Sequence, residues 1–447
     1  MKTIAQIAAE LEGYDPQALP ASAVTAFLQR LVEPVAQTER VPLTAALGRV
    51  LAEDIVSPLS VPPHDNSAMD GFAFAGSQLR PGQPLTLRCV GTALAGTPWR
   101  GQLGPGECVK VMTGAVMPEG LDTVVPQEFT QASGSAVTLP ADVVRLGDNR
   151  RLKGEDLMQG RPALHKGERL APAALGLVAS LGLGEVTVWR RLRVAYFSTG
   201  DEILSVGEPP REGAVYDSNR YTVHGLLTQL GVQVIDMGVV KDEPAELRAA
   251  FTRAAAQADA IITSGGVSVG EADHTKAMMR ELGDVAFWRI AMRPGRPMAV
   301  GRIGGAGAQA AGLDTPPESA ISYLKGDPAA PGALLFGLPG NPVAVMVTFL
   351  AFVRPALLRM MGARDVAPVP LLRARSETPL RKKPGRTEYQ RGIVTQQPDG
   401  TLTVRTTGNQ GSGVLSSMVQ ANGLIVLGHE QGHVAAGDEV QVMMLGE

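Results

Sequence analysis

Asp259-Ala-Ile-Ile-Thr-Ser-Gly-Gly-Val-Ser-Val-Gly-Glu-Ala-Asp-His-Thr-Lys276 changes character twice along its length. Ala260–Ile262 reads as a short apolar strand, Ser264–Gly270 as a glycine-rich turn, and Ala272 onward as a helix reaching about Leu282. Bare glycine backbone at the start of a helix leaves N–H groups free to hold a phosphate-like anion. Asp273 stands just past that turn, and a carboxylate there repels an anion unless a cation lies between them. Turn and acid together predict an oxyanionic or phosphorylated ligand held with a divalent cation.

Outward from this stretch, strands and helices alternate. Strand Arg193–Ser198 precedes a helix over Asn219–Leu230, strand Val232–Met237 precedes a helix over Glu243–Ala256, and Leu334–Gly337 precedes a helix over 342–361. A strand pair is expected around Ala286–Ile290 and Met298–Val300. The pattern predicts a central three-layer α/β domain over 192–366 with a mostly parallel sheet, whose ligands bind beyond the carboxyl ends of the strands. Gly304–Pro331, rich in Gly, Ala and Pro, reads as a flexible insertion between two strands.

Both flanks differ in texture. Residues 1–20 carry broken helical signal and are expected to form a loosely attached arm. A helix over Ala21–Glu33 and a second over Leu43–Val50 open an elongated N-terminal domain, 21–58 with 151–191. That domain is interrupted by a β insert over 59–150 with short runs such as Leu85–Val90 and Cys108–Met112 between Gly/Pro turns. From 367 to 447 the signal is β again. The fold class expected is therefore α/β plus β, multidomain.

Composition narrows the function classes. The 447 residues include 41 basic and 44 acidic side chains, a net charge of −3, which favours neither nucleic acid nor an anionic membrane as partner. The 52 glycines and 33 prolines argue for sheets joined by tight loops rather than a helical bundle. Two cysteines, Cys89 and Cys108, fit no zinc spacing and are expected as reduced, half-buried thiols in neighbouring strands. No secretory leader is read at the N-terminus, and Val343–Val353 is too short an apolar run to span a bilayer, so a cytoplasmic location is expected.

Polar clusters follow the strands: Ser198-Thr199-Gly200-Asp201-Glu202, Asp242, the Asp273 turn, and Leu338-Pro339-Gly340-Asn341-Pro342. Asn341 suits a helix cap and Pro342 the first helical position. By the strand-end rule these loops converge on one crevice. Arg289, Arg293, Arg296 and Arg302 lie in or beside the strand pair, and Arg293-Pro294-Gly295-Arg296-Pro297 makes a stiff turn. Guanidinium forks suit a tetrahedral oxyanion. In the β insert, His64–Gly71 is a polar loop, and Met112-Thr113-Gly114-Ala115 and Gly154-Glu155-Asp156 add a hydroxyl and further acids. His429-Glu430-Gln431-Gly432-His433 matches His-Glu-x-x-His in letters, but its β context and Gly432 read as a hairpin turn rather than a zinc helix. Gly305–Ala310 matches Gly-x-Gly-x-x-Ala but lacks the following helix and acid of a dinucleotide site.

Asp65–Gly71, Met112–Ala115, Ser198–Glu202, Ser264–Gly270 and Leu338–Pro342, taken in order, resemble the motifs of the molybdopterin molybdenumtransferase family, which includes the C-terminal domain of gephyrin. The resemblance implies insertion of molybdate into adenylyl-molybdopterin with release of AMP, assisted by Mg²⁺, by an elongated homodimer whose site lies between the α/β domain of one subunit and the β domains of the other. It implies catalytic roles for Asp70, Thr113, Asp156, Glu202, Asp242 and Asp273, with Glu202, Asp242 and Asp273 holding magnesium. Substrate contacts would come from Ser264, Gly265, Gly266, Ser268, Gly270, Arg289, Arg293, Arg296, Pro339, Asn341, Pro342, Arg386 and Ser412. The family commonly carries lysines where this chain has Arg289, Arg293 and Arg296. Partners implied are the pathway's adenylyltransferase and acceptor molybdoenzymes. Two other readings remain at this stage: the adenylyltransferase itself, whose domain resembles 192–361, and a non-catalytic cofactor carrier or scaffold.

Overall fold

The computed structural model describes residues 2–267, 274–304, 332–366 and 369–446. Ser268, Gly270, Asp273 and almost all of the Gly304–Pro331 insertion lie outside the described residues.

The central sheet has six strands in the order Gln233–Val240, Arg193–Thr199, Ala260–Ser264, Ala333–Leu338, Pro297–Ile303 and Gly283–Arg289. The first four are mutually parallel, and Pro297–Ile303 runs antiparallel to both of its neighbours. Ala260–Ser264 and Ala333–Leu338 are buried at every position, as central strands covered on both faces must be. The two-residue period sorts side chains between two cores. Val194, Tyr196, Ile262 and Phe336 pack against helices Ser218–Leu230 and Pro342–Thr348. Ala195, Phe197, Ile261 and Leu335 pack against Pro244–Gln257 and the apolar face of His274–Leu282. This is the three-layer α/β domain expected. Pro342 begins a helical stretch that continues through a π turn, Phe349–Val353, into Arg354–Met360. The stretch is long and apolar enough to cross a membrane by length and composition, but two thirds of it is buried in the protein interior.

In the N-terminal region Thr38–Pro42 pairs antiparallel with Glu185–Trp189, and Ile55–Val56 with Pro162–Leu164. One core joins Val41, Leu51 and Ile55 to Leu170, Val178 and Val188. Between these halves, a six-stranded sheet, Thr123–Pro126 to Gln131–Ser133, has a core on each face. Cys89 and Cys108 are register partners on two of its parallel strands, and both are free thiols. In the C-terminal region Thr387–Gln396 pairs with both Leu402–Thr406 and Gly423–Leu427, which closes the strands into a barrel.

Two local expectations need correction. Leu43–Val50 is not a helix: a single 3₁₀ turn, Leu43–Ala45, follows the strand Thr38–Pro42, and Gly48 takes a left-handed φ of 73° that ends any helical run. The N-terminal arm is not loosely attached. Its helix Ile4–Ala9 buries Ile4 and Ile7, and Leu19 is fully buried against the α/β domain.

Candidate functional site

The carboxyl ends of the parallel strands form the floor of the site. Gly265 and Gly266 both take left-handed φ, 89° and 64°. A Cβ on Gly265 would stand 2.3 Å from the Thr199 carbonyl oxygen, and one on Gly266 2.5 Å from the Thr275 side chain. Only bare backbone fits here, the geometry that lets an anion approach the main chain closely. Around this cradle lie two of the expected acids. Asp242 accepts a hydrogen bond from the Thr275 hydroxyl (3.0 Å), and its backbone N–H reaches Asp201 (3.3 Å). Glu202 folds back toward Gly200, where any side chain would meet its carboxylate at 2.6 Å.

The fourth loop closes onto the same place. The Gly265 N–H donates to Leu338 O (3.2 Å), Asn219 Nδ2 donates to Gly340 O (2.7 Å), and Val343 N–H donates to Ser412 O (3.1 Å). Pro339, Asn341, Pro342 and Ser412 are therefore brought together, with Ser412 delivered by the C-terminal barrel.

Beneath the cradle lies a network of which the sequence pointed to Ser198 and Ser264 but not to Tyr196 or Asp217. Tyr196 OH is 2.8 Å from both Ser198 Oγ and Ser264 Oγ, and Ser198 Oγ donates to Asp217 Oδ1 at 2.9 Å. Asp217 is buried as the N-cap of Ser218–Leu230, and its other oxygen has no partner among the described residues. Burial pushes its carboxyl above the usual range, against the hydrogen bonds from Arg220 N–H and Ser198. Its only sequence signal was an ordinary cap pattern, Asp-Ser-Asn.

The arginines divide. Gly283–Arg289 ends, and Pro297–Ile303 begins, at the carboxyl edge of the sheet, so Arg289, Arg293 and Arg296 sit at the site's edge. Arg302 does not belong with them. It lies at the far end of its strand, where its guanidinium donates to Leu31 O (2.8 Å) at the end of helix Ala21–Leu31. Arg293 lines a cavity of about 250 Å³ between the turn and the barrel, together with Glu388, Gln410 and Arg391. Arg391 is 1% exposed and donates to Ser417 Oγ (3.0 Å) and to the Asn409 and Gly411 carbonyls. Burial first, and then the positive charge of Arg293, makes its protonated form costlier than usual. Arg386 is instead paired with Glu388 (2.7 Å) and does not line this cavity. Arg391 carried no motif that would have singled it out.

On the β insert, Asp70 Oδ1 accepts from both the backbone N–H (2.7 Å) and the hydroxyl (2.8 Å) of Thr113. The backbone bond first, and the hydroxyl second, hold this exposed carboxyl below its ordinary value. Asp156 is exposed, its N–H donating to Val61 O (3.1 Å). Among the described residues, no hydrogen bond or ion pair joins Asp70, Thr113 or Asp156 to the strand-end loops. Nor does any group of three His, Cys, Asp or Glu side chains among them converge to hold a metal. The His-Glu-x-x-His letters fall in the loop after strand Gly423–Leu427, where His433 Nδ1 accepts from the Lys382 N–H (3.1 Å).

Three family matches cover this chain: "MoeA N-terminal region (domain I and II)" over residues 19–182, "Probable molybdopterin binding domain" over 195–359, and "MoeA C-terminal region (domain IV)" over 373–445. A molybdopterin molybdenumtransferase from Haemophilus influenzae is 40% identical over 93% of this chain and 96% of its own length. One from a Nostoc species is 35% identical over 91% and 89%. Among solved structures, the molybdopterin biosynthesis moeA protein of Pyrococcus horikoshii OT3 superposes with a TM-score of 0.77 at 25% identity, over 96% of this chain and all of that one.

Proposed function

The chain belongs to the molybdopterin molybdenumtransferase family, and we propose that it inserts molybdate into adenylyl-molybdopterin, releasing AMP and leaving molybdenum on the dithiolene. The observation that carries this reading is that hydrogen-bonded loops tie an anion cradle to a guanidinium cavity. The ties run from Gly265 to Leu338, from Val343 to Ser412, and from Gly411 to Arg391, each of them a hydrogen bond. A substrate with phosphates at one end and a metal-binding dithiolene at the other, meeting a separate tetrahedral oxyanion, fits that layout.

The backbone N–H of Gly266 would hold the phosphoanhydride, with the Gly265 N–H spent on Leu338 O and Ser264 fixed beneath by Tyr196. Arg293 would hold molybdate through its fork, and Arg391, whose Nε and Nη2 are engaged by Ser417, Asn409 and Gly411, would add positive charge from the cavity wall. Fixed donors in a partly dry cavity stabilise developing charge without reorganising. Magnesium fits the donor set: Glu202 and Asp242 are hard oxygen ligands beside the cradle, and this ion is usually held by one or two carboxylates plus substrate phosphates. Bound there, it would offset phosphate charge and polarise the anhydride. Asp273, outside the described residues, stays in the proposed set by family resemblance.

Asp70, Thr113 and Asp156 have no partners among the described residues of their own chain's strand-end loops, and we assign them to the site of a second copy in a homodimer. Arg289, Arg293 and Arg296 keep the charge of the family's lysines but exchange a point charge for a planar fork.

The test is AMP release by the purified protein on adenylyl-molybdopterin with Mg²⁺, with and without molybdate. Molybdate-dependent release is expected. Tight pterin binding with no release would make the protein a carrier, and ATP consumption would make it an adenylyltransferase.

A further inference from the structure

We propose that the N-terminal segment Tyr14–Leu19 is a positioning element for the oxyanion-binding arginines, an inference that rests on the functional reading above. The strand Gly283–Arg289 is the outer strand of the central sheet, and it leads directly into the turn that carries Arg293 and Arg296. Tyr14–Leu19 lies along its end and grips it from both sides of one residue. Arg289 N–H donates to Pro16 O (2.7 Å), Leu19 N–H donates to Arg289 O (3.1 Å), and Ala291 N–H donates to Leu19 O (2.8 Å). Leu19 and Ile290, bridge partners in parallel register, are both fully buried.

The remaining backbone groups of the crossing segment are satisfied elsewhere. Ile290 N–H donates to Arg296 O (2.7 Å), closing the turn on itself, and Ala291 O accepts from Thr387 N–H (2.9 Å) of the barrel. The arginine-bearing turn is therefore suspended between the arm on one side and the barrel on the other. Side chains lock the arm in place: Trp288 Nε1 donates to Tyr14 OH (2.8 Å), and Phe27 packs edge-on to Trp288 at 4.9 Å and stacks with Tyr14 at 6.1 Å.

Covering the edge of a sheet would by itself explain a paired segment. It does not explain why the backbone bonds fall on Arg289 and Ala291, the last residues before the turn. Sub-ångström placement of a guanidinium is what a tetrahedral oxyanion site requires, and a turn with only one anchored side would lack it.

Leu19→Ala and Tyr14→Phe are compared with Arg293→Ala in the full-length protein. Initial rates of AMP release are read against molybdate concentration, alongside adenylyl-molybdopterin affinity measured without molybdate. Both arm variants should raise the molybdate concentration at half-maximal rate by about fivefold or more, with pterin affinity within about twofold of the parent. Leu19→Met should restore the parent value. If Leu19→Ala fails to fold, Tyr14→Phe decides, because it removes one hydroxyl and opens no cavity. Unchanged molybdate dependence in the arm variants with a shifted Arg293→Ala would reduce the arm to an edge cover. Unchanged dependence in Arg293→Ala would sink the oxyanion reading of the strip, and the arm proposal with it.

Discussion

Gly266 shows how little room the cradle leaves. At φ 64° with the Thr275 side chain 2.5 Å from where a Cβ would sit, Gly266→Ala combines backbone strain with a clash. It should cost about 1–3 kcal/mol of stability and suppress AMP release, measured by denaturation and by the assay above. Asp242→Asn tests the acid rather than the backbone. Its Thr275 bond can survive, so the fold should hold, while the Mg²⁺-supported rate falls by about a hundredfold or more. Asp217 gives a pH signature. Its folded carboxyl sits above the unfolded value, so its favourable contribution is complete below the usual carboxyl range and is lost as pH rises through the raised folded pKa. Asp217→Asn stays neutral and should flatten that slope. Urea unfolding of both proteins between pH 4 and pH 8 would show the curves converging toward acid; parallel curves would contradict a raised pKa.

At the scale of elements, the barrel strand Thr387–Gln396 does two jobs, pairing with Met292–Arg293 at its start and presenting Arg391 in its middle. Arg391→Lys keeps the charge but loses the fork that reaches Ser417 and two carbonyls, and it should weaken the molybdate dependence by about tenfold. Uneven legibility of the sequence follows from the same elements. The strands Ala260–Ser264 and Ala333–Leu338 announce themselves because burial on both faces demands an unbroken apolar run, and the Gly265–Gly266 turn because nothing else fits it. Leu371–Ser376 gave no such signal: Arg373 and Arg375 point to solvent, and its pairing with Glu439–Met444 is set by chain far away. Arg391 is buried only once the barrel has closed, and Asp217 is locally indistinguishable from any helix cap. The arm misled for the opposite reason, since its short, broken helix is held by tertiary contacts and not by its own propensity.

For the whole molecule, the division of acids between the β insert and the strand-end loops makes a prediction that no single chain can test. If each site draws Asp70 and Thr113 from one copy and Asp242 from the other, Asp70→Asn and Asp242→Asn are each inactive alone but complement when mixed and refolded. Random pairing in equal amounts would restore about a quarter of parental activity, because half the dimers carry one intact site. No recovery would place both acids in one chain's site. The parallel-strand partners Cys89 and Cys108 take on a different meaning at this scale. They are the only two sulfhydryls in a protein proposed to handle a dithiolene and a sulfur-loving metal. Cys108 is wholly buried, its thiol pushed up to about 12, and Cys89 turns toward the Gly91 carbonyl. Burial and a raised pKa leave Cys108 a poor thiolate ligand and nucleophile. The guanidinium cavity proposed to receive the oxyanion has neither cysteine nor methionine among its described lining residues, so the incoming metal would meet only nitrogen and oxygen there.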